Sequence, residues 1–317
     1  MNTPTTSSPP PRTLVVLAFA AIYLVWGSTY LAIRVVVETL PPFLSAGVRF
    51  LIAGGLLFAF LRARGVAKPA RLEWRNAIVT GVLLLVGGNG LVVWAEQSIS
   101  SGFAALVVAL APAWFALLDW LRPRGVRPRL KTAVGIVVGF LGVLMLMNGR
   151  GGAHGNGHWW ATLAVMVAGI SWASGSLYSK HNSHSSSPWM TAAAQMICGG
   201  AGLLLVGGAL GEPFRTHWTH VSARSLWALM YLIVFGSWIG FSAYIWLLKA
   251  STPSRVSTYA YVNPVIAVFL GWALLGESIN AHMIWGALVI LAGVIIITVP
   301  GAMIANGWMR VRQQVVR

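Results

Sequence analysis

The chain has 317 residues, of which 57% are hydrophobic and 9% are charged, with a mean hydropathy of +0.75 and a net charge of +16. Soluble domains carry about 25% charged and about 45–50% apolar residues, so a soluble fold is excluded and the composition indicates a helical protein that crosses a membrane several times. The positive charge does not indicate nucleic-acid binding, because most of the Lys and Arg residues fall in short segments between apolar runs and form no separate basic face.

Ten apolar segments follow one another along the chain, each close to the roughly 20 residues that a helix needs to cross a bilayer. They cover residues 13–34, 42–62, 74–95, 101–121, 131–149, 159–180, 188–210, 225–248, 255–276 and 281–304. A polar segment rich in Pro, Ser and Thr, residues 1–12, precedes them, and we expect a disordered cytoplasmic tail there. A Gly-rich linker, 151–158, separates a first unit, 13–150, from a second, 159–304, and a basic cytoplasmic tail, 305–317, follows.

The loops between these segments predict the orientation of the chain. Lys and Arg are retained on the cytoplasmic side of membrane proteins. With the amino terminus inside, most of the 22 Lys and Arg residues fall in segments on that side, including the two basic loops 62–75 and 122–131. The sequence therefore predicts that both termini are cytoplasmic.

The second half of the chain repeats the first. At a spacing of 146 positions, Trp26 corresponds to Trp172 and Pro42 to Pro188, and at 152 positions Pro112 corresponds to Pro264. Each unit contains five helices, an odd number, so the second unit must be inverted relative to the first. Inverted repeats are common in secondary transporters, which bind the solute where the two repeats meet.

Four stretches together resemble the ten-helix EamA-type transporters of the drug/metabolite transporter superfamily. They are IYLVWGSTYLAIR (22–34), PPFLSAGVRFLIAG (41–54), GGNGLVVWAEQ (87–97) and TYAYVNPVIAVFLGWALLGE (258–277). The resemblance implies two inverted five-helix repeats in the bacterial inner membrane, around a central cavity lined mainly by helices 1, 3, 4, 6, 8 and 9. Similar proteins include exporters of amino acids and related metabolites, but substrates vary widely across the family.

One departure from the superfamily concerns the first helix. The four-helix multidrug pumps of the superfamily have a Glu in the middle of their first helix, where it binds a cationic drug and protons. Here the corresponding stretch, residues 20–23, reads AAIY and has no carboxylate. The departure counts against a proton-exchanging cation pump.

Polar and aromatic residues inside the apolar segments are the candidates for the solute pathway, because polar groups in hydrocarbon are costly and usually face the bundle interior. The predicted cavity residues are Trp26, Ser28, Thr29, Tyr30, Asn89, Trp94, Trp114, Trp172, Ser174, Ser176, Tyr178, Tyr244, Tyr259, Tyr261 and Asn263. The small residues among them can instead serve only close helix packing. Predicted bending points are Gly88, Gly90, Pro112 and Pro264, since proline breaks helical hydrogen bonding and glycine permits local unwinding.

Charged residues bear on the coupling of transport. Arg49 is the one basic residue clearly inside a segment; we favour an ion pair with Glu38 or Glu96 over contact with a substrate carboxylate or with backbone carbonyls. All six acidic residues lie near helix ends or in loops, so no carboxylate is placed to relay protons at mid-depth. Facilitated transport is therefore favoured over obligate proton antiport.

Other functional classes find little support in the sequence. The histidine pairs 181/184 and 217/220 have no nearby carboxylate or thiol, so neither a metal site nor another cofactor is expected. The glycines of the linker lack the Lys-Ser/Thr of a phosphate loop, so neither ATP-driven transport nor an associated ATPase is implied. An enzyme embedded in the membrane would need converging catalytic groups, and the apolar segments offer no such cluster. A channel would not need an inverted repeat, so the repeat favours a carrier. The expected partners are a small-molecule substrate, an amino acid or related metabolite, and membrane lipid.

Overall fold

The computed structural model describes residues 11–122, 125, 127–148, 159–182 and 187–298. The predicted linker 151–158 and the predicted C-terminal tail lie outside these residues. Of the predicted N-terminal tail, only positions 11 and 12 are described, and Arg12 is already the first residue of a helix.

The regular elements of the described residues are helices. Ten long ones, named α1 to α10 in chain order, span Arg12–Val36, Pro42–Ala63, Arg71–Ala95, Ser101–Leu121, Leu130–Asn148, Trp159–Asn182, Pro188–Ala209, Ala223–Ala250, Tyr259–Leu275 and Ala281–Thr298. The first eight are long and apolar enough to cross a bilayer, and α9 and α10 are shorter apolar helices. Each predicted segment overlaps one of these helices over most of its length, and the prediction of an all-α membrane protein is confirmed.

Local sequence explains where several of these helices begin. The second and seventh start with a proline, Pro42 and Pro188, whose missing N–H costs nothing in the first turn. Ser100 and Ser222 precede α4 and α8, and their hydroxyls accept hydrogen bonds from backbone amides of the first turn at 3.3 and 3.0 Å. Three short helices, Glu212–Arg215, Trp218–His220 and Pro253–Val256, lie in the connections on either side of α8.

Three of the long helices depart from regular α-helical geometry. The segments Val82–Gly90 of α3 and Leu232–Phe241 of α8 are π-helical, a form that is rare and often found at functional sites. Helix α4 is interrupted by a turn at residues 109–110, directly before Pro112. In contrast, α9 continues without a break through Pro264.

Glycines allow two pairs of helices to approach closely. Helices α2 and α7 meet where a Cβ added to Gly200 would lie 2.8 Å from the backbone nitrogen of Leu51 and 3.0 Å from the carbonyl oxygen of Gly47. Helices α5 and α10 meet where a Cβ on Gly135 would lie 2.7 Å from the carbonyl oxygen of Gly293. Small residues at such crossings let backbones pack tightly inside membranes.

Two glutamates complete helix ends that belong to distant parts of the chain. The carboxylate of Glu212 accepts hydrogen bonds from the amides of Phe43 and Leu44, at 3.1 and 2.8 Å, in the first turn of α2. The carboxylate of Glu277 accepts them from Ser101 and Gly102, at 2.8 and 3.3 Å, in the first turn of α4. A carboxylate at this position pairs with free amides and with the positive end of the helix dipole.

The α2–α7 crossing predicts that a larger residue destabilises the protein much more at one glycine of α7, Gly200, than at another, Gly208. We expect Gly200→Val to lower the free energy of unfolding by about 1–3 kcal/mol, because the added methyl groups would push the two backbones apart. Thermal unfolding of the purified protein in detergent, followed by intrinsic fluorescence, measures the change.

Gly208→Val in the same helix is the matched control, because no atom lies within 4 Å of a Cβ at Gly208. This control carries the same change in helical propensity and should not be destabilised. Equal melting temperatures for the two variants would show that the crossing does not depend on Gly200.

Candidate functional site

A cavity of about 80 Å³ lies between the helices. Each of the six helices that the resemblance implied, α1, α3, α4, α6, α8 and α9, contributes residues to its wall, and α2 contributes as well. The lining consists of Trp26, Thr29, Tyr30, Ile33, Arg49, Phe50, Gly88, Asn89, Val92, Val108, Ala111, Ala168, Gly169, Trp172, Gly236, Phe241 and Tyr259. Six predicted cavity residues are among them: Trp26, Thr29, Tyr30, Asn89, Trp172 and Tyr259.

Four rings from α1, α6, α8 and α9 form an aromatic cluster at the cavity: Trp26, Trp172, Tyr244 and Tyr259. The ring centroid of Trp26 lies 5.5 Å from that of Trp172, 5.0 Å from that of Tyr244 and 5.3 Å from that of Tyr259. The Trp26–Trp172 and Trp26–Tyr259 pairs are edge-to-face, the arrangement that aromatic quadrupoles favour. The cluster therefore joins four helices, and three of its rings, those of Trp26, Trp172 and Tyr259, line the cavity.

Hydrogen bonds fix the orientation of these rings. The indole nitrogen of Trp26 donates to the carbonyl of Gly236 at 3.2 Å, and that of Trp172 donates to the hydroxyl of Tyr244 at 3.0 Å. The same hydroxyl lies 2.6 Å from the Oγ of Ser176. Tyr244 and Ser176 are fully buried and do not line the cavity. These two predicted cavity residues instead hold Trp172, which does line it, in position.

Glycines of the two π-helical segments bring the backbone against the tryptophans. A Cβ on Gly88 would lie 2.8 Å from the ring of Trp172, and one on Gly240 would lie 2.5 Å from the indole nitrogen of Trp26. Gly88 lines the cavity, whereas the space beside Gly90, the other predicted bending point in α3, is filled by Leu203. The glycines at 88 and 240 are needed for these close approaches.

Two polar residues of the wall, Thr29 and Asn89, differ in the hydrogen bonds that their side-chain oxygens form. The hydroxyl of Thr29 donates to the carbonyl of Trp26, three residues earlier, at 2.8 Å. The Oδ1 atom of Asn89 is buried and has no hydrogen-bond partner. Asn89, a residue of the cavity wall, therefore has an acceptor that no other described residue uses.

Arg49 is also part of the wall, and the predicted ion pair with Glu38 or Glu96 is wrong. Its Nε atom donates to the Oγ of Ser237 in α8 at 2.7 Å, and no acidic side chain of the described residues forms a salt bridge with it. Glu38 instead lies 3.9 Å from the guanidinium of Arg224. Arg49 is only 4% exposed, and its Nη1 atom is buried without a hydrogen-bond partner among the described residues.

Glu96 lies near one end of the wall, directly after α3, and is completely buried. Neither of its carboxyl oxygens has a hydrogen-bond partner among the described residues. Burial, and secondarily the charge of Glu277, raises the pKa of this carboxyl well above its usual range, while Arg34 and Arg49 act in the opposite direction. Its position near a helix end agrees with the sequence, but the sequence did not indicate its burial.

The other predicted cavity residues do not line the cavity. Trp94 packs on Trp160 and Trp114 on Phe140, with centroids 4.8 and 5.2 Å apart. Four others form hydrogen bonds through their hydroxyl groups. The hydroxyl of Ser28 lies 2.6 Å from Tyr231 Oη, and that of Ser174 donates to the carbonyl of Ile170 at 2.8 Å. The hydroxyl of Tyr178 donates to Asn76 Oδ1 at 3.1 Å, and that of Tyr261 donates to the carbonyl of Val294 at 2.8 Å. Asn263 is 2% exposed, and its amide nitrogen donates to the carbonyls of Tyr23 and Tyr259 at 3.0 and 3.2 Å. Apart from Ser174, whose hydroxyl bonds within its own helix, these side chains connect one helix to another.

Other wall residues were missing from the predicted set. Arg49 was the one with a visible signal, since a charge within an apolar segment is a candidate for function. Phe50, Phe241 and the alanines and valines of the wall look like ordinary lipid-facing or packing residues in the sequence. Within the described ranges, no three or more His, Cys, Asp or Glu side chains come together to form a possible metal site.

Comparison with known proteins places this arrangement in a family. The model of the EamA-like transporter family matches the chain twice, over residues 13–148 and 159–299. The chain is 41% identical over 285 residues to YedA of Escherichia coli (strain K12), named as an uncharacterized inner membrane transporter, with 89% of each chain covered. It is 27% identical over 283 residues to the transporter YoaV of Bacillus subtilis (strain 168), with 88% of this chain and 95% of that one covered.

A solved crystal structure shares the fold. Its chain is 21% identical and superposes with a TM-score of 0.66, covering 91% of this chain and 97% of the other. Together with the ten apolar helices and the cavity between them, the matches extend over both halves of the sequence. The chain therefore belongs to the EamA-like transporter family of the drug/metabolite transporter superfamily, and it is a multi-pass transporter of the bacterial inner membrane.

Proposed function

We propose that this transporter exports amino acids or similar small zwitterionic or neutral metabolites by alternating access, as a facilitator without obligate proton coupling. The observation that carries the proposal is the cavity itself: an aromatic cluster and unpaired polar atoms share one wall between seven helices. A concave site with apolar walls and a few placed polar groups is the usual form of a small-molecule site.

The chemistry of the wall supports this class of solute. The faces of Trp26, Trp172 and Tyr259 suit an apolar body, and each can attract an ammonium group by roughly 0.5–2 kcal/mol. The free acceptor of Asn89 suits an N–H or O–H donor. No acidic residue lines the cavity within the described part of the chain, so a purely cationic drug would find no counter-charge there.

Alternating access rests on the internal repeat. All ten helices cross the membrane in this proposal, the termini are cytoplasmic and the two five-helix units are inverted. The double match of the family model to residues 13–148 and 159–299 supports two related units. The π-helical segments lie at corresponding places, in the third helix of each unit, and both border the cavity. Two similar units can exchange their conformations and so open one site to either side in turn.

A proton-coupled multidrug or metabolite antiporter is the second candidate, and Glu96 is the observation that favours it. Its carboxyl is buried, without a hydrogen-bond partner, and has a raised pKa, so it could hold a proton near the cavity. Glu96 does not line the cavity, however, and its backbone carbonyl accepts a hydrogen bond from Arg34. A carboxyl group closed off from the solute is poorly placed to exchange a proton for it.

Uptake into liposomes distinguishes the two candidates. With the purified protein reconstituted, we expect saturable uptake of radiolabelled amino acids at equal pH on both sides, together with counterflow of preloaded solute. Uptake that needs an imposed pH gradient would contradict the facilitator. Glu96→Gln, which keeps the size of the side chain but removes its proton exchange, should then abolish the dependence on pH.

Substitutions in the wall test whether the cavity is the pathway. We expect Trp26→Ala, Trp172→Ala and Asn89→Ala each to weaken the apparent affinity for the transported amino acid by roughly 2- to 30-fold, the equivalent of about 0.5–2 kcal/mol. The apparent KM in counterflow is the measurement.

Trp272→Ala is the matched control, because Trp272 lies in α9, is 55% exposed and does not line the cavity. It should transport like the wild type. If all three wall variants do so too, the solute takes another route.

A further inference from the structure

We propose that Arg49 is the carboxylate-binding residue of the cavity, so that the solutes of this transporter carry a carboxylate group. The inference deepens the proposed function, on which it rests, by naming the charged group that the site selects. It starts from a cation that is buried in the wall and has an unused hydrogen-bond donor.

Contacts on one side hold the guanidinium of Arg49 in place. Its Nε atom donates to Ser237 Oγ at 2.7 Å, and its Cζ atom lies 4.6 Å from the ring centroid of Phe50, within the range of a cation–π contact. Its Nη2 atom lies close to Gly236, where a Cβ would be only 2.9 Å away. The group is therefore oriented before any solute arrives, which lowers the entropy that binding must overcome.

The Nη1 donor of Arg49 is not used by any residue that the structure describes. A buried, charged donor without an acceptor is costly, and charged residues inside membrane helices commonly mark the pathway of a solute. Nη1 has no partner among the described residues, and the side chain lines the cavity. Glu96 acts on Arg49 through its charge, but it forms no ion pair with it. A ligand atom in the cavity is the acceptor that is missing.

The charge of the wall defines which ligand fits. Within the described residues, Arg49 is the one lysine or arginine that lines the cavity, and no aspartate or glutamate accompanies it. Guanidinium groups stay protonated at neutral pH and present parallel N–H donors that match a carboxylate. A single cation balances a monocarboxylate, whereas a phosphate ester would bring close to two negative charges. The Oδ1 atom of Asn89 remains available for an ammonium or hydroxyl group of the same solute.

Paired probes that differ only in the carboxylate test the proposal. Binding of L-leucine and L-phenylalanine is measured by calorimetry on the protein in lipid nanodiscs, and compared with binding of their amides, L-leucinamide and L-phenylalaninamide, and of phenyl phosphate. We expect the wild type to bind each acid at least about tenfold more tightly than its amide, the effect of one hydrogen bond to a charged group. Equal affinities, no binding of any acid, or tighter binding of phenyl phosphate would each overturn the proposal.

The variant Arg49→Gln tests whether Arg49 causes the preference for the acid over its amide. We expect this variant to bind acid and amide with nearly equal affinity, whereas Arg224→Gln, which removes an exposed arginine beside Glu38, should keep the preference of the wild type. A preference that persists in Arg49→Gln would overturn the proposal. If that variant does not fold, Arg49→Met replaces it: the long side chain remains but its charge and donors are lost, and an unchanged preference would again overturn the proposal.

Counterflow in liposomes separates this inference from the proposed function. Carboxylate binding that depends on Arg49 but occurs without transport would contradict amino-acid export and leave the inference standing. Transport of amino acids with the same preference for acid over amide in Arg49→Gln would contradict the inference and leave the proposed function standing.

Discussion

Close backbone contact is the constraint on which the rest of this structure depends. Inside a bilayer, helices gain little from hiding apolar side chains from lipid, which is equally apolar. Contacts where glycine removes the side chain altogether therefore decide where helices meet. They join α2 to α7 and α5 to α10, through Gly47 and Gly200 in one pair and Gly135 and Gly293 in the other. Apart from Arg49 and Phe50 of α2, the cavity is built from the six remaining helices.

Inside this frame, rings and polar groups give the cavity its chemistry. The aromatic cluster links four helices edge to face, and the hydrogen bonds from the indoles of Trp26 and Trp172 fix its geometry. On the same wall, Arg49 is held by Ser237 and Phe50. An apolar region and one fixed charge therefore face the same small volume. This combination can distinguish solutes by charge as well as by size.

The sequence predicted the limits of the long apolar helices well, because the length of an apolar run is set by the thickness of the bilayer. It predicted inward-facing residues less well. Thr29 faces the cavity while its neighbour Ser28 bonds to Tyr231, and Tyr259 lines the wall while Tyr261 bonds to the carbonyl of Val294. Lipid and core are both apolar, so the periodicity that marks the buried face of a soluble helix is weak here. The error at Arg49 has a similar origin, since sequence position cannot show which side chain meets an arginine across the bundle.

The glutamates that complete two helix ends have a consequence for how the protein is made. The amides of Phe43 and Leu44 receive their carboxylate from Glu212, 169 and 168 positions later in the chain, and those of Ser101 and Gly102 receive theirs from Glu277, 176 and 175 positions later. During synthesis, the amides in the first turn of α2 lack this partner until the chain has reached Glu212, and those in the first turn of α4 lack theirs until it has reached Glu277. Two helix ends of the first half of the chain are thus completed by residues of the second half, the later of them only when nearly the whole chain has been made.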